Sequence, residues 1–536
     1  MKTLFKPVNL VLTLVSILMT GVCASFVKLD QTEGLVARSY AVWGDWSAHL
    51  SMISAFRERG IAWVTGANPL FSEAPFQYPF LSHALTAFFS ALTGVHPVDA
   101  ALILSLVLLF LLPFILFRFY RAFKLTPVAS LYAALCFLLI GGFQVFDSSL
   151  KSNEPVTNQF EAGSVFTQFI LFEFFPQRAF LFATAFALPL LGRLLGAPAG
   201  GLRKHAGVLL ALAILPLFHL HSWFALGTLL LALLAFPLPQ EVLLGNRKKI
   251  LLAGTAIFAV SGAIAGAILF RHHDHPLHWE PWFPGWAHNP GSGLETASRM
   301  NPVWFWLYNT GVFLPLVAAG AFQNRRDAGL RALLAAGTFL FAAASLFKVQ
   351  PYFYDNLKIF TWSFLFLAPF AGLALEGLHR RFRFAAGALM ILQSLSAVSD
   401  FRFFAEGSQH TVFFDPIEIQ LAKDFKMLRG SADELVLIQP KHNHWVPCLT
   451  GNPVVMGYPG WLWSWGIDYH EIESGVQEVL LGGSRAEAAL KRFHPKWIIL
   501  DEREQVRGVN VNLPFFDTRF KKVLQAGPWR VYSTGP

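Results

Sequence analysis

The chain has 536 residues, of which 54% are hydrophobic and 14% are charged, and its formal net charge is +9. This composition is typical of an integral membrane protein and excludes a single soluble core. The positive charge does not indicate nucleic-acid binding, because lysine and arginine occur in short clusters between apolar segments. Three cysteines, Cys23, Cys136 and Cys448, do not form the pattern of a disulfide framework.

About eleven apolar segments approach the roughly 20 residues that cross the hydrocarbon core of a bilayer. These candidate spans are 8–25, 97–117, 127–145, 177–196, 206–220, 222–237, 250–270, 303–322, 330–347, 358–377 and 384–399. Two of the assignments leave alternatives open. Residues 206–237 are too long for one span, so we divide them at "HLHSW". Residues 1–24 are either the first span or a cleaved signal peptide, because "GVCAS" is rich in small residues.

Clusters of basic residues indicate how the spans are oriented. If the spans alternate in direction, one side of the membrane carries Lys2, Lys6, Arg118, Arg121, Lys124, Arg203, Lys204, Arg247, Lys248, Lys249, Arg325, Arg326, Arg380, Arg381 and Arg383. The positive-inside rule makes this side cytoplasmic. The other side receives the longer loops, which are 26–96, 146–176, 271–302 and 348–357, and the tail after residue 399. We therefore expect the function to lie on the outside.

The tail, residues 400–536, predicts an extracytoplasmic α/β domain that follows a transmembrane domain of residues 1–399. Its helix starts have the pattern of capping boxes, at Asp415, Pro416 and Glu418 and again at Ser484 and Glu487. The runs "ELVLIQP", "PVVMGYP" and "KWIILDE" indicate short buried strands, and "KKVLQAGPWRVYST" indicates a closing hairpin. Strands that alternate with helices in this way are typical of a small α/β domain.

The segment 457–470, "GYPGWLWSWGIDYH", combines aromatic residues with glycine-rich turns. It predicts either an aromatic interface on the membrane surface or on the transmembrane part, or a platform over a sugar or lipid substrate. Flat rings suit the second interpretation, because sugars offer apolar C–H faces that stack on them. The platform residues would be Tyr458, Trp461, Trp463 and Trp465.

The first outer loop places an acid and a histidine one helical turn apart, Asp45 and His49, in "WGDWSAHLSMISAFRERG". On a helix these two side chains share a face. The apolar residues beside them and two tryptophans predict an amphipathic helix along the membrane surface; they are Leu50, Ile53, Phe56, Trp43 and Trp46. Asp45 is either the N-cap of this helix or a functional acid. As a functional acid it is a general base that takes a proton from an acceptor hydroxyl, or a group that anchors a substrate hydroxyl. The segment 68–94, broken by prolines, predicts a second surface helix.

Several motifs together resemble the C-type glycosyltransferase superfamily (GT-C). They are "GDWSAHL", the proline-broken "NPLF" and "QYPF", and a span that ends in "RFYRAF". The phrases "FFPQRAFLF", "PLFHLHSW", "YFYDNLKIF" and "MGYPGWLWSWGIDY" look most like uncharacterised bacterial members. The resemblance implies a polytopic enzyme of the bacterial inner membrane that uses a polyprenyl-phosphate sugar, with Asp45 as the first-loop acid. The chain departs from the family in having no Asp-Glu or Asp-x-Asp pair after the first span.

Two cations near the outer membrane surface are candidates for holding the phosphate of a lipid-linked donor, Arg178 and Lys358. The alternative for each is a side chain that snorkels to the interface. Asp355 and Asn356 would pair with Lys358 and orient it. Further substrate-binding candidates at the same face are Gln177, beside Arg178, and Tyr78 in the first loop. His219 and His221 flank the break between two short spans, where they either line a cavity wall that contacts substrate or serve as hydrogen-bonded structural residues.

The loop 271–288 is rich in histidine and leaves three interpretations open. A divalent-metal site at His272, His275 and His278 is one, but no clean ligand spacing stands out. The others are a lid over the site and a wet loop anchored in the interface by tryptophans. The chain has no glycine loop for a nucleotide phosphate in a strand–helix setting, so a nucleotide-sugar donor is not expected.

The sequence therefore predicts a glycosyltransferase that moves a sugar from a polyprenyl-phosphate donor to a glycan, lipid or protein acceptor outside the cytoplasm. One alternative is an inactive scaffold that binds a lipid-linked glycan, which the missing second acid near Asp45 favours. Another is a transporter, for which the break at 216–223 is the supporting feature. We expect membrane lipid as a further partner and nucleic acid as none. The sugar, the acceptor and the oligomeric state do not follow from the sequence.

Overall fold

The computed structural model describes residues 2–61, 64, 66–166, 168–196, 202–236, 246–269, 278–279, 295–349, 352–407, 409–506 and 508–535. Their contacts divide the chain into two compact units. Unit 1 contains Met1–Ser25, Ser105–Ala267 and Leu277–Ser408; unit 2 contains Phe26–Leu104, Ile268–Pro276 and Gln409–Pro536. The first outer loop thus groups with the tail, whereas the predicted boundary lay at residue 399. The division into a transmembrane domain of residues 1–399 and an extracytoplasmic domain of residues 400–536 remains a prediction.

Unit 1 is built from helices. They are α1 (Lys2–Ala24), α4 (Pro97–Ala122, which begins in unit 2), α5 (Pro127–Leu138), α6 (Arg178–Gly196), α7 (Leu202–Ala213), α8 (Leu220–Ala235), α9 (Asn246–Leu269), α10 (Glu295–Arg299), α11 (Pro302–Thr310), α12 (Phe313–Gln323), α13 (Ala328–Leu346), α14 (Leu357–Arg381) and α15 (Arg383–Ala405). Two short strands, β5 (His278–Trp279) and β6 (Phe347–Lys348), pair antiparallel.

Within the described residues, six helices are long and apolar enough to cross a membrane: α1, α4, α6, α13, α14 with its preceding turn, and α15. A seventh span is possible if α11 and α12 cross as one, but these two helices meet at a bend of 97°. The predicted span 303–322 is therefore broken, because Gly311 ends α11. The predicted span 127–145 is also shortened, since α5 ends at Leu138. Helices α7, α8 and α9 coincide with the other short apolar segments.

Helix α14 is the core of unit 1, and 94% of its most apolar 18-residue window is buried. It packs against α5, α12 and α13. The contact with α5 requires a residue without a side chain: a Cβ on Gly372 would lie 2.3 Å from the carbonyl oxygen of Ala129. This close approach explains why an apolar helix carries glycine at its centre, although glycine is a poor helix former.

Unit 2 combines helices with two main sheets. Its helices are α2 (Tyr40–Arg59), α3 (Leu81–Thr93), α16 (Pro416–Leu428), α17 (Pro459–Ser464), α18 (His470–Leu481), α19 (Ser484–Phe493) and α20 (Leu513–Arg519). Its strands are β1 (Val27–Asp30), β2 (Gly34–Ala37), β3 (Ala67–Asn68), β4 (Phe71–Pro75), β7 (Thr411–Phe414), β8 (Val436–Ile438), β9 (Trp497–Asp501), β10 (Gln505–Val506), β11 (Val509–Asn510), β12 (Lys521–Ala526) and β13 (Trp529–Ser533).

The sheets connect parts of the sequence that are far apart. Strands β1, β2 and β7 form an antiparallel sheet in which β2 from the first loop pairs with β7 from the tail. The second sheet has the order β12-β13-β9-β8, and its only parallel pair among the described strands is β8 with β9. A buried apolar cluster that includes Leu437, Val476 and Ile498 joins this sheet to α18.

The predicted elements of the tail are partly confirmed. The capping box at Asp415 is present, because the backbone N–H of Glu418 donates to Asp415 and the Glu418 carboxylate accepts from the backbone N–H of Asp415. The one predicted at Ser484 is wrong: Gly483 is the N-cap there, and no side chain caps the helix. The predicted hairpin is formed by β12 and β13. The segment "PVVMGYP" is not a strand and makes only isolated bridges.

The two predicted surface helices of the first loop differ in burial. Helix α2 is buried from Trp46 to Phe56 without interruption, so it is a core helix of unit 2 and lacks the exposed apolar stripe that we predicted. Helix α3 buries polar residues such as His83 and exposes apolar ones such as Phe88 and Leu92. An exposed apolar face and a buried polar face suit a helix that lies along a membrane.

Candidate functional site

Helix α2 carries Asp45 inside its second turn. The N-cap is Ser39, whose side chain accepts from the backbone N–H of Val42. The interpretation of Asp45 as a capping residue is therefore wrong. Asp45 is partly exposed, while Trp46 and Ser47, which follow it, are buried. Asp45 consequently lies at the edge of the unit 2 core.

His49 lies one turn after Asp45 and forms a buried pair with a histidine of α3. Its Nδ1 atom is 2.8 Å from Nε2 of His83, and the two side chains are almost fully buried. One ring must donate and the other accept, so the pair holds a fixed complementary arrangement of protons. Ser82 Oγ lies 3.4 Å from the other ring nitrogen of His83. The pair thus links α2 to α3 beside the Asp45 turn.

The residues that flank Asp45 contact the segment 441–445, "KHNHW", which begins three residues after the end of β8. Trp43 stacks on His442 with ring centroids 4.1 Å apart. Ser47 donates a hydrogen bond to the Oδ1 atom of Asn443, and this oxygen is 2.8 Å from His442 Nδ1. The turn that carries Asp45 is therefore held on both sides by one short segment of the tail.

The predicted aromatic platform separates into three parts. Tyr458 and Trp461 surround His442, with ring centroids 4.9 Å from it in each case. Trp465 packs on Tyr78 of the first loop at 5.2 Å, and Tyr78 also meets the edge of His83. Trp463 is exposed. Tyr458 and Trp461 thus lie beside His442, which contacts helix α2 through Trp43. Trp465 lies beside Tyr78, which contacts His83 of the histidine pair.

The surroundings of this segment are apolar enough to shift its ionisable groups. Burial lowers the pKa of His442, although hydrogen bonds to Asn443 and to the Gly44 backbone oppose the effect. Burial, with the charge of Lys441 as a smaller cause, holds the pKa of His444 well below its usual value. Burial likewise raises the pKa of the Cys448 thiol to about 12. His442 and His444 are therefore neutral at pH 7 and Cys448 is a thiol.

The predicted cation Lys358 lies in unit 1 and has a partner. Its Nζ atom is 2.5 Å from Asp355 Oδ1, and the two side chains are mostly buried. Asn356 does not take part: its amide donates to the backbone oxygens of Ala344 and Phe347, and its oxygen accepts from the backbone N–H of Val349. The expectation that Asn356 orients Lys358 is wrong, because this side chain completes the end of α13.

The two predicted histidines of unit 1 are close to this ion pair. His219 caps α8 by accepting from the backbone N–H of Ser222, and its ring stacks on Phe180 of α6 at 4.9 Å. His221 lies 5.2 Å from it, centroid to centroid. The charge of Lys358 acts on both rings. His219 therefore has a structural role as a helix cap, and its ring lies beside that of His221.

Arg178 begins α6 and is fully buried. Its Nε atom donates to Ser105 Oγ at 3.0 Å, and the guanidinium lies over the ring of Phe182. Gln177 precedes it, outside the helix. Burial at this position excludes the simple snorkelling alternative, in which the guanidinium would be exposed at the interface.

The predicted metal ligands His272 and His275 lie outside the described residues, and for His278 only the backbone is described, in β5. In the part of the chain that the structure describes, no group of three or more His, Cys, Asp or Glu side chains could hold a metal ion.

No protein-family model matches the chain, and no curated protein sequence is similar to it. Solved structures are similar. The oligosaccharyltransferase of Archaeoglobus fulgidus superposes with a TM-score of 0.55 and 12% identity, over 92% of this chain and 68% of that one. ArnT from Cupriavidus metallidurans, bound to undecaprenyl phosphate, superposes with a TM-score of 0.50 and 12% identity, over 98% of both chains.

A third similar structure is the arabinofuranosyltransferase AftD from Mycobacteria, with a TM-score of 0.52, 13% identity and coverage of 92% of this chain but 40% of that one. All three are GT-C glycosyltransferases. The protein has the GT-C fold. The resemblance that the sequence motifs indicated is thus confirmed at the level of the fold. The chain is an integral membrane protein, as its long apolar helices and the membrane glycosyltransferases of the same fold both indicate.

Sequence reasoning missed several residues around Asp45 in this GT-C chain, namely Ser47, His83, His442 and Asn443. One signal for the last two was present. The segment 441–445 is polar and begins three residues after the end of β8, and residues after a parallel strand often line a site in α/β proteins. His83 offered no comparable signal, because a lone histidine in an apolar helix has no visible partner in the sequence.

Proposed function

We propose that the protein is a glycosyltransferase that moves a sugar from a polyprenyl-phosphate donor to an acceptor on the extracytoplasmic side of a bacterial inner membrane. The observation that carries the proposal is the GT-C fold, shared over most of the chain with three glycosyltransferases. One of these was solved with undecaprenyl phosphate, and a further A. fulgidus structure with dolichol-phosphate and an inhibitory peptide. Since a fold alone does not fix an activity, the residues of this chain must supply the chemistry.

Asp45 is the proposed general base. Its carboxylate takes the proton of an acceptor hydroxyl while the hydroxyl oxygen attacks the anomeric carbon of the donor. The bond between that carbon and the phosphate oxygen breaks, and polyprenyl phosphate leaves with the electron pair. The position of Asp45 supports this role, because the residue is partly exposed on a helix that is otherwise buried. His49, on the same face one turn later, orients the acid.

Arg178 and Lys358 are the proposed cations for the donor phosphate, each on a helix that begins at the outer surface in the proposed eleven-span topology. Lys358 contributes little net charge, because it forms an ion pair with Asp355. A phosphate in this part of unit 1 would therefore depend mainly on the guanidinium of Arg178. The aromatic residues around His442 are proposed to contact the sugar or the acceptor.

The test is transfer by the Asp45→Asn variant. Membranes that contain the full chain are incubated with radiolabelled polyprenyl-phosphate hexoses and pentoses and a lipid and glycan extract as acceptor source. We expect Asp45→Asn to lower transfer by about 100-fold or more, the range that a general base contributes. The matched control is Glu73→Gln, which removes an exposed carboxylate of the same loop and should keep full activity.

Equal activity of wild type and Asp45→Asn would contradict the assignment of the base. A second candidate function is favoured by the sequence of the first loop, which has no Asp-Glu or Asp-x-Asp pair. In that case the protein binds a lipid-linked glycan without transfer. Lipid extraction from the purified wild type decides between them: a retained polyprenyl-linked sugar with no turnover on any donor supports binding alone.

A further inference from the structure

The turn between α14 and α15 concentrates charge and aromatic rings on very few residues. Phe382 alone separates the two helices, and its backbone N–H closes α14 by donating to Leu378. Around it lie Arg380, Arg381 and Arg383, which are exposed. Phe382 is 65% exposed and Phe384 is 80% exposed. Because α14 and α15 are both candidate membrane spans, this turn lies at a membrane surface.

A cleft of about 580 Å³ opens at the turn and is lined by residues 379–385. Its volume falls within the range of small-molecule sites, roughly 300–1,000 Å³. The cleft is built on fixed elements. Tyr132 of α5 donates to His379 Nδ1 or accepts from it at 2.9 Å, and Arg380 pairs with Glu376, which also accepts from Thr126.

Two arginines of the cleft have no acidic partner among the described residues. Arg380 has Glu376 as its partner, but among the described residues neither Arg381 nor Arg383 forms an ion pair. The guanidinium of Arg383 lies over the ring of Phe384 at 4.9 Å. The guanidinium groups of Arg381 and Arg383 therefore have unused hydrogen-bond donors. They lie next to two exposed rings, at the boundary between water and hydrocarbon. The guanidinium fork matches a phosphate, and the exposed rings match the acyl region below it.

We propose that this turn is a binding site for the headgroup of an anionic phospholipid. Arg381 and Arg383 hold the phosphodiester, while Phe382 and Phe384 insert among the acyl chains of the same leaflet. Basic clefts between membrane helices bind anionic headgroups in this way. The proposal uses none of the residues assigned to the transfer reaction and does not depend on that reaction.

The experiment is native mass spectrometry of the full chain, purified with an equal mixture of dioleoylphosphatidylglycerol and dioleoylphosphatidylcholine. We expect the wild type to retain phosphatidylglycerol in preference to phosphatidylcholine. The double variant Arg381→Gln/Arg383→Gln should bind phosphatidylglycerol about tenfold more weakly, because each basic residue at a membrane surface adds substantially to the attraction. Arg380 is kept, so that its ion pair with Glu376 remains.

The matched control is Arg325→Gln/Arg326→Gln, which removes two exposed arginines from the turn between α12 and α13. That turn carries Asp327 and is not part of the cleft. The control should retain phosphatidylglycerol like the wild type. Equal losses in the two double variants would assign retention to general surface charge and overturn the site. A wild type without preference for phosphatidylglycerol would overturn it as well, even if a variant failed to fold.

Discussion

At the scale of single residues, the structure depends on histidines that are neutral because they are buried. His444 is the clearest case in unit 2: it is 2% exposed, and its Nδ1 atom accepts from the backbone N–H of Val446. Protonation would remove this acceptor and place a charge beside Trp445 and Trp529, whose rings contact the imidazole. The segment that holds Asp45 in place is therefore sensitive to acid.

The pKa of His444 is lower in the folded chain than in the unfolded chain, so the unfolded state binds the proton first as the pH falls. We expect unit 2 to lose about 1.4 kcal/mol of stability for each pH unit below roughly 6.5, where the unfolded histidine titrates. His444→Asn keeps an oxygen that can accept from Val446 but cannot be protonated. Its melting temperature should therefore fall less than that of the wild type between pH 7 and pH 5.

Intrinsic tryptophan fluorescence during heating measures this difference. The raised pKa of Glu418 acts in the opposite direction as the pH falls, but it is common to both proteins and cancels in the comparison. Identical pH dependence in the wild type and in His444→Asn would show that this histidine does not control the acid sensitivity.

At the scale of elements, the contact of α14 with α5 limits what the core of unit 1 accepts. Gly372→Val would drive a side chain into the backbone of Ala129 and should destabilise the protein by about 1–3 kcal/mol, the usual cost of overpacking. Gly387→Val is the control, because a Cβ at this helical glycine of α15 meets nothing within 4 Å. Thermal unfolding in detergent compares the two, and equal melting temperatures would contradict the packing argument.

The sequence predicted most helices of unit 1 because the bilayer requires long apolar segments, and these are visible without knowledge of tertiary contacts. It also predicted the Asp415 capping box, since a cap depends on neighbouring residues. It failed where distant residues decide. Burial of α2 depends on a π-helical turn at Val446–Thr450. Gly451, the next residue, lies against the backbone of Ser54. The pairing of His49 with His83 is likewise a tertiary contact that no local pattern reveals.

At the scale of the whole molecule, the orientation in the membrane is a prediction that native cysteines make easy to test. Cys23, Cys136 and Cys448 are buried, so added cysteines can be labelled without removing them. A membrane-impermeant maleimide applied to intact cells should label Lys151→Cys, in the loop proposed to lie outside. It should label Arg325→Cys only after the membrane is permeabilised. The reverse pattern would invert the proposed topology.

The small sheet of β1, β2 and β7 has a consequence for how the protein is made. Strand β2 receives its partner β7 only after the ribosome has added about 370 further residues. At a synthesis rate of about 5–20 residues per second, this takes roughly 20–75 s. During that interval the first loop carries a strand edge without its partner. Folding factors that shield strand edges during translation are therefore expected to raise the yield of this protein.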